Sequence, residues 1–274
     1  MSPHAPASKK ATRKQTQVAQ VAAVAPKPAV KAQAARMRRA GGVGVARRIL
    51  AIDIGGTHVK FRANTGDEIR KFASGPKLTP AQMCRQILSL TQDWTYDVVS
   101  LGYPGPVLHG KPVLEPHNLA TGWVAFDFAG ALGRPVKVIN DAAMQALGSY
   151  QVGKMLFLGL GTGLGSAMVV NGIVEPLELA HLPYRKHTYE DYVGLRGLEK
   201  HGKKKWRKQV TEVVGLLRAA LEPDDVVLGG GNAELMHELP AGVRLGDNTN
   251  AFPGGFRLWD DEVNARPLST ASTA

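Results

Sequence analysis

A single cysteine, Cys84, in 274 residues leaves no intrachain disulfide and no cysteine-rich zinc site. Long hydrophobic runs are missing as well. Nothing approaches the roughly 18–20 apolar residues needed to span a bilayer, so no membrane partner is expected. The most apolar part of the N-terminal stretch, residues 18–25, is too short for a signal peptide and lacks its cleavage context. Acidic residues are absent from the first 48 positions, which hold eleven Lys or Arg. The other 226 residues carry 23 basic and 23 acidic side chains, so the net charge of +11 belongs to the tail. A sequence pI near 9.8 is therefore no sign of a nucleic-acid-binding domain, and no specific nucleic-acid partner is expected. Residues 1–47 also lack aromatics and any apolar period, and read as a disordered basic tail. A solubility tail, an arm that attracts polyanions and an organelle transit sequence are its three readings. The single thiol suits a cytoplasmic chain.

What is present begins with Ile49–Ile54, a continuous apolar strand, followed by a turn at Gly55-Gly56-Thr57 and a second strand from His58. An acid at a strand end followed by two glycines leaves bare backbone N–H groups round a concavity, which binds anionic oxygens, and Asp53 beside it can hold a hydrated magnesium ion. Strand signals recur at 68–72, 97–102, 136–139, 154–160, 166–171 and 225–228. Thr79-Pro80 reads as the start of a helix with Met83, Ile87, Leu90 and Trp94 on one stripe. Residues 203–221 form a longer amphipathic helix with Trp206, Val210, Val213, Val214, Leu217 and Leu221 on one face. The hairpin-plus-α/β pattern occurs twice, which implies two domains and a cleft: an N-terminal one over 48–139 and a C-terminal one over 140–264, with a disordered end at 265–274.

The second glycine cluster, Gly161-Thr162-Gly163-Leu164-Gly165, is no dinucleotide fingerprint, because strand-forming residues follow it and not a helix. Nor does Gly-Lys-Ser/Thr follow either cluster, which excludes a Walker A loop. One such hairpin alone would be a structural turn; two, each after a buried strand, point to phosphate. Asp141, at a strand end before an alanine-rich helix, is either that helix's N-cap or a general base. Asn140 adds a donor and an acceptor suited to sugar hydroxyls. Glu178 and His181, three apart, suit sugar hydroxyls, a metal or plain surface. Asn118 is a turn residue or a ligand of the same kind. The basic run 200–208 is a solvated helix start or an anion site, since Lys at a helix N-terminus opposes the macrodipole.

Asp53-Ile-Gly-Gly-Thr57 with Lys60, Gly102-Tyr-Pro-Gly-Pro106, Asn118-Leu119, Asn140-Asp141, Gly161–Gly165, Glu178-x-x-His181 and Gly229-Gly230-Gly231 occur in one order. That order resembles the ROK family (repressors, open reading frames, kinases) over about residues 49–262. The resemblance implies an α/β, actin-like (ribonuclease-H-like) two-domain sugar kinase fold with a central cleft. It implies phosphate contacts from Asp53, Gly55, Gly56, Thr57, Lys60, Gly161, Thr162 and Gly163, with Asp141 as catalytic base. Asn118, Asn140, Asp141, Glu178, His181 and, one residue out of step, Glu199 would bind the hexose. Gly229, Gly230 and Gly231 would border a nucleotide, and Lys203, Lys204 and Lys205 would suit polyphosphate. The family's zinc-binding Cys-x-Cys-Gly-x-x-Gly-Cys run is replaced by residues 191–198, whose glycines remain without the cysteines, so Mg²⁺ is expected and zinc is not. That loss is shared with the polyphosphate glucokinase branch. Ala180 stands where the family has glycine, which strains the loop only if the position needs positive φ. Glucose is the expected acceptor and polyphosphate, ATP or both the donor, with a homodimer allowed. The alternatives are an ATP-dependent kinase for another hexose, such as mannose or glucosamine, and a sugar-responsive non-catalytic regulator.

Overall fold

The computed structural model describes residues 47–260. The tail expected to be disordered lies outside them save for Arg47, as does the expected C-terminal end at 265–274.

Two five-stranded sheets share one topology. In the first, β1 (Ile49–Ile54) is central, with β2 (His58–Ala63) and β3 (Ile69–Ala73) antiparallel on one side and β4 (Val98–Tyr103) and β7 (Val136–Asn140) parallel on the other. Between β4 and β7 the chain makes a small hairpin, β5 (Val107–Leu108) and β6 (Lys111–Pro112). The second sheet repeats the order around β8 (Lys154–Leu160). Here β9 (Leu164–Val170) and β10 (Ile173–Leu177) are antiparallel, and β13 (Asp225–Gly229) and β14 (Val243–Leu245) parallel. A two-stranded hairpin, β11 (Pro183–Tyr184) and β12 (His187–Thr188), lies between.

Burial explains the composition of these strands. All six residues of β1 are buried, because helices pack on both of its faces, so it reads as an unbroken apolar run with one acid. By contrast β2 alternates, burying Val59, Phe61 and Ala63 only. Strand bounds agree with the expected ones to within a residue or two.

Helix α1 (Pro80–Leu90) starts with a capping box between Thr79 and Gln82. Met83 and Ile87 are buried, but the expected stripe breaks there. Leu90 is 39% exposed, and Trp94 lies beyond the helix end, edge-on to Phe61 and beneath the Arg70 guanidinium. A turn after Thr91 redirects the chain, so the 3.6-residue period no longer applies. Next come α2 (Phe128–Leu132), α3 (Asp141–Ser149) and α4 (Tyr189–Val193). Helix α5 (Leu195–Leu221) contains a break at Gly202, with φ 72° and ψ 159°. Its second leg therefore begins at Lys203, where the amphipathic pattern begins, and buries Trp206, Val210, Val213, Val214 and Leu217. Among the described residues no helix is long and apolar enough to cross a membrane.

Helix α3 lies between the sheets, and α6 (Ala251–Arg257) crosses it to reach β1. Sequence patterning misses α6, since Pro253, Gly254 and Gly255 signal a loop. The glycines are there for closeness. A Cβ on Gly254 would fall on the Met144 carbonyl oxygen, and one on Gly148 would fall on that of Asn250.

Candidate functional site

Parallel strands β1 and β7 deliver Asp53 and Asp141 at their C-terminal ends on either side of β4. Between them stands Gly102, which pairs with Asp53 in the sheet and whose Cβ position is 3.6 Å from the Asp141 Cα. A side chain there would also strike the Met144 methyl at 2.5 Å, so glycine lets α3 approach without Met144 having to move. Asp53, buried, and Asp141, half-buried, therefore lie near each other across Gly102. Asp53, 9% exposed, is pushed up to about 6 by burial, against the pull of Lys60 opposite it on β2. Asp141 is pushed up to about 7, chiefly by burial, then by the charge of Asp53 and to a smaller extent that of Glu178. The Ala142 N–H opposes this rise by donating to Asp141 Oδ1 at 2.8 Å.

The structure decides which residue caps α3. The N-cap is Asn140, whose Oδ1 accepts from the Ala143 N–H (3.1 Å) while its Nδ2 donates to the Gly105 carbonyl (3.1 Å). Asp141 is the first helical residue, leaving most of its carboxylate free. For Asn140 the same bonds leave one amide hydrogen for any ligand.

The first turn is held by its own backbone and by Ser74. Gly55 N–H donates to His58 O (2.9 Å), Ser74 Oγ donates to Gly55 O (2.7 Å), and Ser74 N–H to Thr57 O (2.9 Å). Gly56 and Thr57 are exposed, and their N–H groups have no backbone partner. Asn118 lies over Gly56, its Nδ2 3.3 Å from where a Cβ would be. The second turn abuts α3: a Cβ on Gly165 would come within 2.7 Å of the Ala142 methyl. Thr162 O accepts from Leu195 N–H (3.1 Å), and Gly161 O from Asn232 Nδ2 (3.1 Å). The Glu190 carboxylate fills the space where Gly163 lacks a side chain and accepts from Leu164 N–H at 3.3 Å. Gly230, left-handed at φ 82°, packs on Leu160 O, and its N–H donates to Asn248 Oδ1 (3.2 Å). Gly229–Gly231 and the second turn thus form one loop cluster.

Glu178 and His181 are exposed, 4.0 Å apart, at either end of a 3-10 turn that Ser166 anchors through Leu179 N–H and Leu177 O. Ala180 is buried in that turn without positive φ, so the conditional strain does not arise. Glu199 is exposed one turn past Leu195, and no hydrogen bond brings it to the cleft. Lys203, Lys204 and Lys205 are exposed in the first turn after the Gly202 break. Where the zinc run would be, Asp191 forms a capping box with Thr188 and pairs with Arg196 (2.8 Å). Gly197 persists there because a Cβ would collide with the Tyr192 backbone. Among the described residues no three His, Cys, Asp or Glu side chains converge as a metal cluster.

Ser74, Ser166, Glu190, Asn232 and Asn248 are the supports that sequence reasoning missed. Each acts through a contact across at least eleven residues, and no local pattern marks it.

Two twin-topology lobes, with the two glycine turns and the pair Asp53 and Asp141 at their strand ends, define an actin-like α/β protein. The chain belongs to the ROK family. The family profile matches residues 49–175. Polyphosphate glucokinase of Mycobacterium tuberculosis is 30% identical over 256 residues, covering 85% of this chain and 95% of that one. Among solved structures, the inorganic polyphosphate/ATP-glucomannokinase of an Arthrobacter strain aligns with TM-score 0.67 at 23% identity, over 80% of this chain and 98% of the other. A ROK family glucokinase from Streptomyces griseus, in complex with glucose and AMPPNP, aligns with TM-score 0.63 at 16% identity, over 77% and 98%. These two likenesses establish the fold.

Proposed function

We propose that the chain is a sugar kinase that transfers a phosphoryl group from inorganic polyphosphate, ATP or both to the 6-hydroxyl of glucose. The observation that carries this is the Asp141 carboxyl: half-buried, relieved of capping duty, and held at about 7 beside Asp53 and the second glycine turn. A base with that pKa accepts a hydroxyl proton at neutral pH and is still a strong enough base to matter. The similarity to polyphosphate glucokinase over most of both chains supports the donor and the acceptor.

In this reading Asn118, Asn140, Glu178, His181 and, more loosely, Glu199 hold the sugar with its 6-hydroxyl on Asp141. Gly55, Gly56 and Thr57, with Lys60, take one set of phosphoryl oxygens, and Gly161, Thr162 and Gly163 the other. Gly229, Gly230 and Gly231 border the nucleotide when ATP is the donor. The sugar oxygen attacks the terminal phosphorus, its proton passes to Asp141, and the bond from phosphorus to the bridging oxygen breaks. ADP, or a polyphosphate one unit shorter, leaves. Asp53 fits a divalent cation such as Mg²⁺, because a buried carboxylate with a raised pKa gains from a cation's charge. When bound, that cation neutralises the phosphoryl oxygens.

Production of glucose 6-phosphate by the purified chain from glucose and each donor tests the proposal; no product with either donor would overturn it. For the donor, Lys203→Glu, Lys204→Glu and Lys205→Glu together should raise the KM for polyphosphate more than that for ATP. The gap between the two should shrink as salt is added, since exposed charges more than about 8 Å apart are screened at physiological ionic strength. Equal changes for both donors would remove the lysines from the polyphosphate site.

A further inference from the structure

We propose that the surface around Tyr192, formed by the β11–β12 turn, α4 and the first leg of α5, binds the stretch of polyphosphate lying beyond its reacting end. This rests on the reading that polyphosphate is a donor. Arg185, Lys186, Lys200 and His201 supply the contacts, and the surface adds a second anion platform to Lys203–Lys205.

Four observations meet there. First, the Tyr192 ring gathers cations and imidazoles: His201 stacks on it at 5.7 Å and 17°, His187 lies at 6.1 Å, and the Arg185 guanidinium is 5.8 Å from its centre. Second, Arg185 is paired with Glu212 at 2.6 Å and Asp191 with Arg196, which leaves Lys186 and Lys200 exposed without an ion pair among the described residues. His201 is accordingly held below its ordinary pKa by partial burial and by Lys205, Lys200 and Arg185. Like charges kept this close gain from an anion between them, and a guanidinium matches phosphate oxygens two at a time.

Third, the backbone holds Arg185 at a cost. Arg185 and Lys186 form the two-residue turn between Tyr184 and His187, and Arg185 is left-handed at φ 55°. Glycine, asparagine or aspartate is the usual occupant of such a position, and a larger L-residue there costs roughly 1 kcal/mol. The Arg185 guanidinium is then held by Glu212 and lies 5.0 Å from the Tyr184 ring and 5.8 Å from that of Tyr192, with its outer side still exposed. Fourth, the surface is coupled to the second glycine turn. Glu190, two residues from Tyr192, braces Gly163 and Leu164, and Leu195 N–H bonds to Thr162 O. A short donor reaches only the turn, whereas a long one runs on to Tyr192.

The test is steady-state kinetics of the full chain with Lys186→Glu/Lys200→Glu, using long-chain polyphosphate, tripolyphosphate and ATP at fixed glucose and magnesium. Both lysines are exposed, and an unchanged melting temperature certifies the fold. The KM for the long chain should rise about tenfold, equivalent to roughly 1.4 kcal/mol. The constants for tripolyphosphate and ATP should hold. An equal change for all three donors, or none for the long chain, would overturn the proposal. Wild-type turnover with ATP but with neither polyphosphate would overturn the donor reading itself, and is distinguishable from a failure of the surface alone.

Discussion

Asp141→Asn should lower the turnover of glucose by a factor of about 10²–10⁴ and, in the same protein, raise its stability at pH 8. The first effect follows from removing the proton acceptor while Asn keeps an oxygen for the Ala142 N–H. The second follows from linkage. Folding raises the Asp141 pKa from 3.8 to about 7, so the folded state holds the proton more tightly than the unfolded chain does. The stability this contributes is full below pH 3.8 and is lost as pH rises through about 7. A rise of that size corresponds to at most about 4 kcal/mol, so asparagine, neutral at every pH, should gain about 2 kcal/mol at pH 8 and nothing near pH 4. Urea titrations without magnesium at the two pH values measure this. Magnesium should narrow the gap by stabilising the ionised wild type. A variant as active as wild type, or one destabilised at pH 8, would mean that Asp141 is a structural residue.

Gly254→Ala should destabilise the chain by about 3 kcal/mol or more, because overpacking against backbone leaves nothing free to rotate away. In an exposed helix the same change usually helps by up to about 1 kcal/mol. Gly215→Ala on α5, where an added Cβ meets nothing within 4 Å, is the control and should be neutral or stabilising. The difference matters for the site because α6 rests directly on the first sheet: a Cβ on Gly255 would lie 2.7 Å from the Ala51 methyl, and the Ser100 hydroxyl donates to the Gly255 carbonyl. Residue 51 is two positions from Asp53. Denaturant midpoints for both variants decide the matter, and a Gly254→Ala protein as stable as wild type would show that the two helices can part freely.

How much of this could be read in advance depended on the range of the interaction. The turn at Gly55-Gly56 was legible because a strand buried on both faces must be apolar throughout, so an acid and two glycines stand out at its end. The break before Lys203 was legible as the start of an amphipathic period. Asp141 was legible as a candidate, but its freedom from capping depends on Asn140 reaching Ala143, which the adjacent polar pair leaves ambiguous. Trp94 was misplaced because the stripe was extended through a turn that only tertiary packing reveals, and Leu90, at the helix's last position, faces outward. Helix α6 was hidden, since its glycines serve backbone contact with α3 and otherwise look like breakers. Ser74, Glu190 and Asn232 carried no signal, each being an ordinary polar residue until the fold brings a turn against it.

The most direct measurement is the pH dependence of kcat/KM for glucose between pH 5 and 9 with donor and magnesium saturating. Proton acceptance by Asp141 should make the rate fall about tenfold for each pH unit below its pKa, which is about 7 in the free chain and lower with magnesium bound, with Asp141→Asn low and free of that limb. A wild-type profile flat down to pH 5 would contradict it.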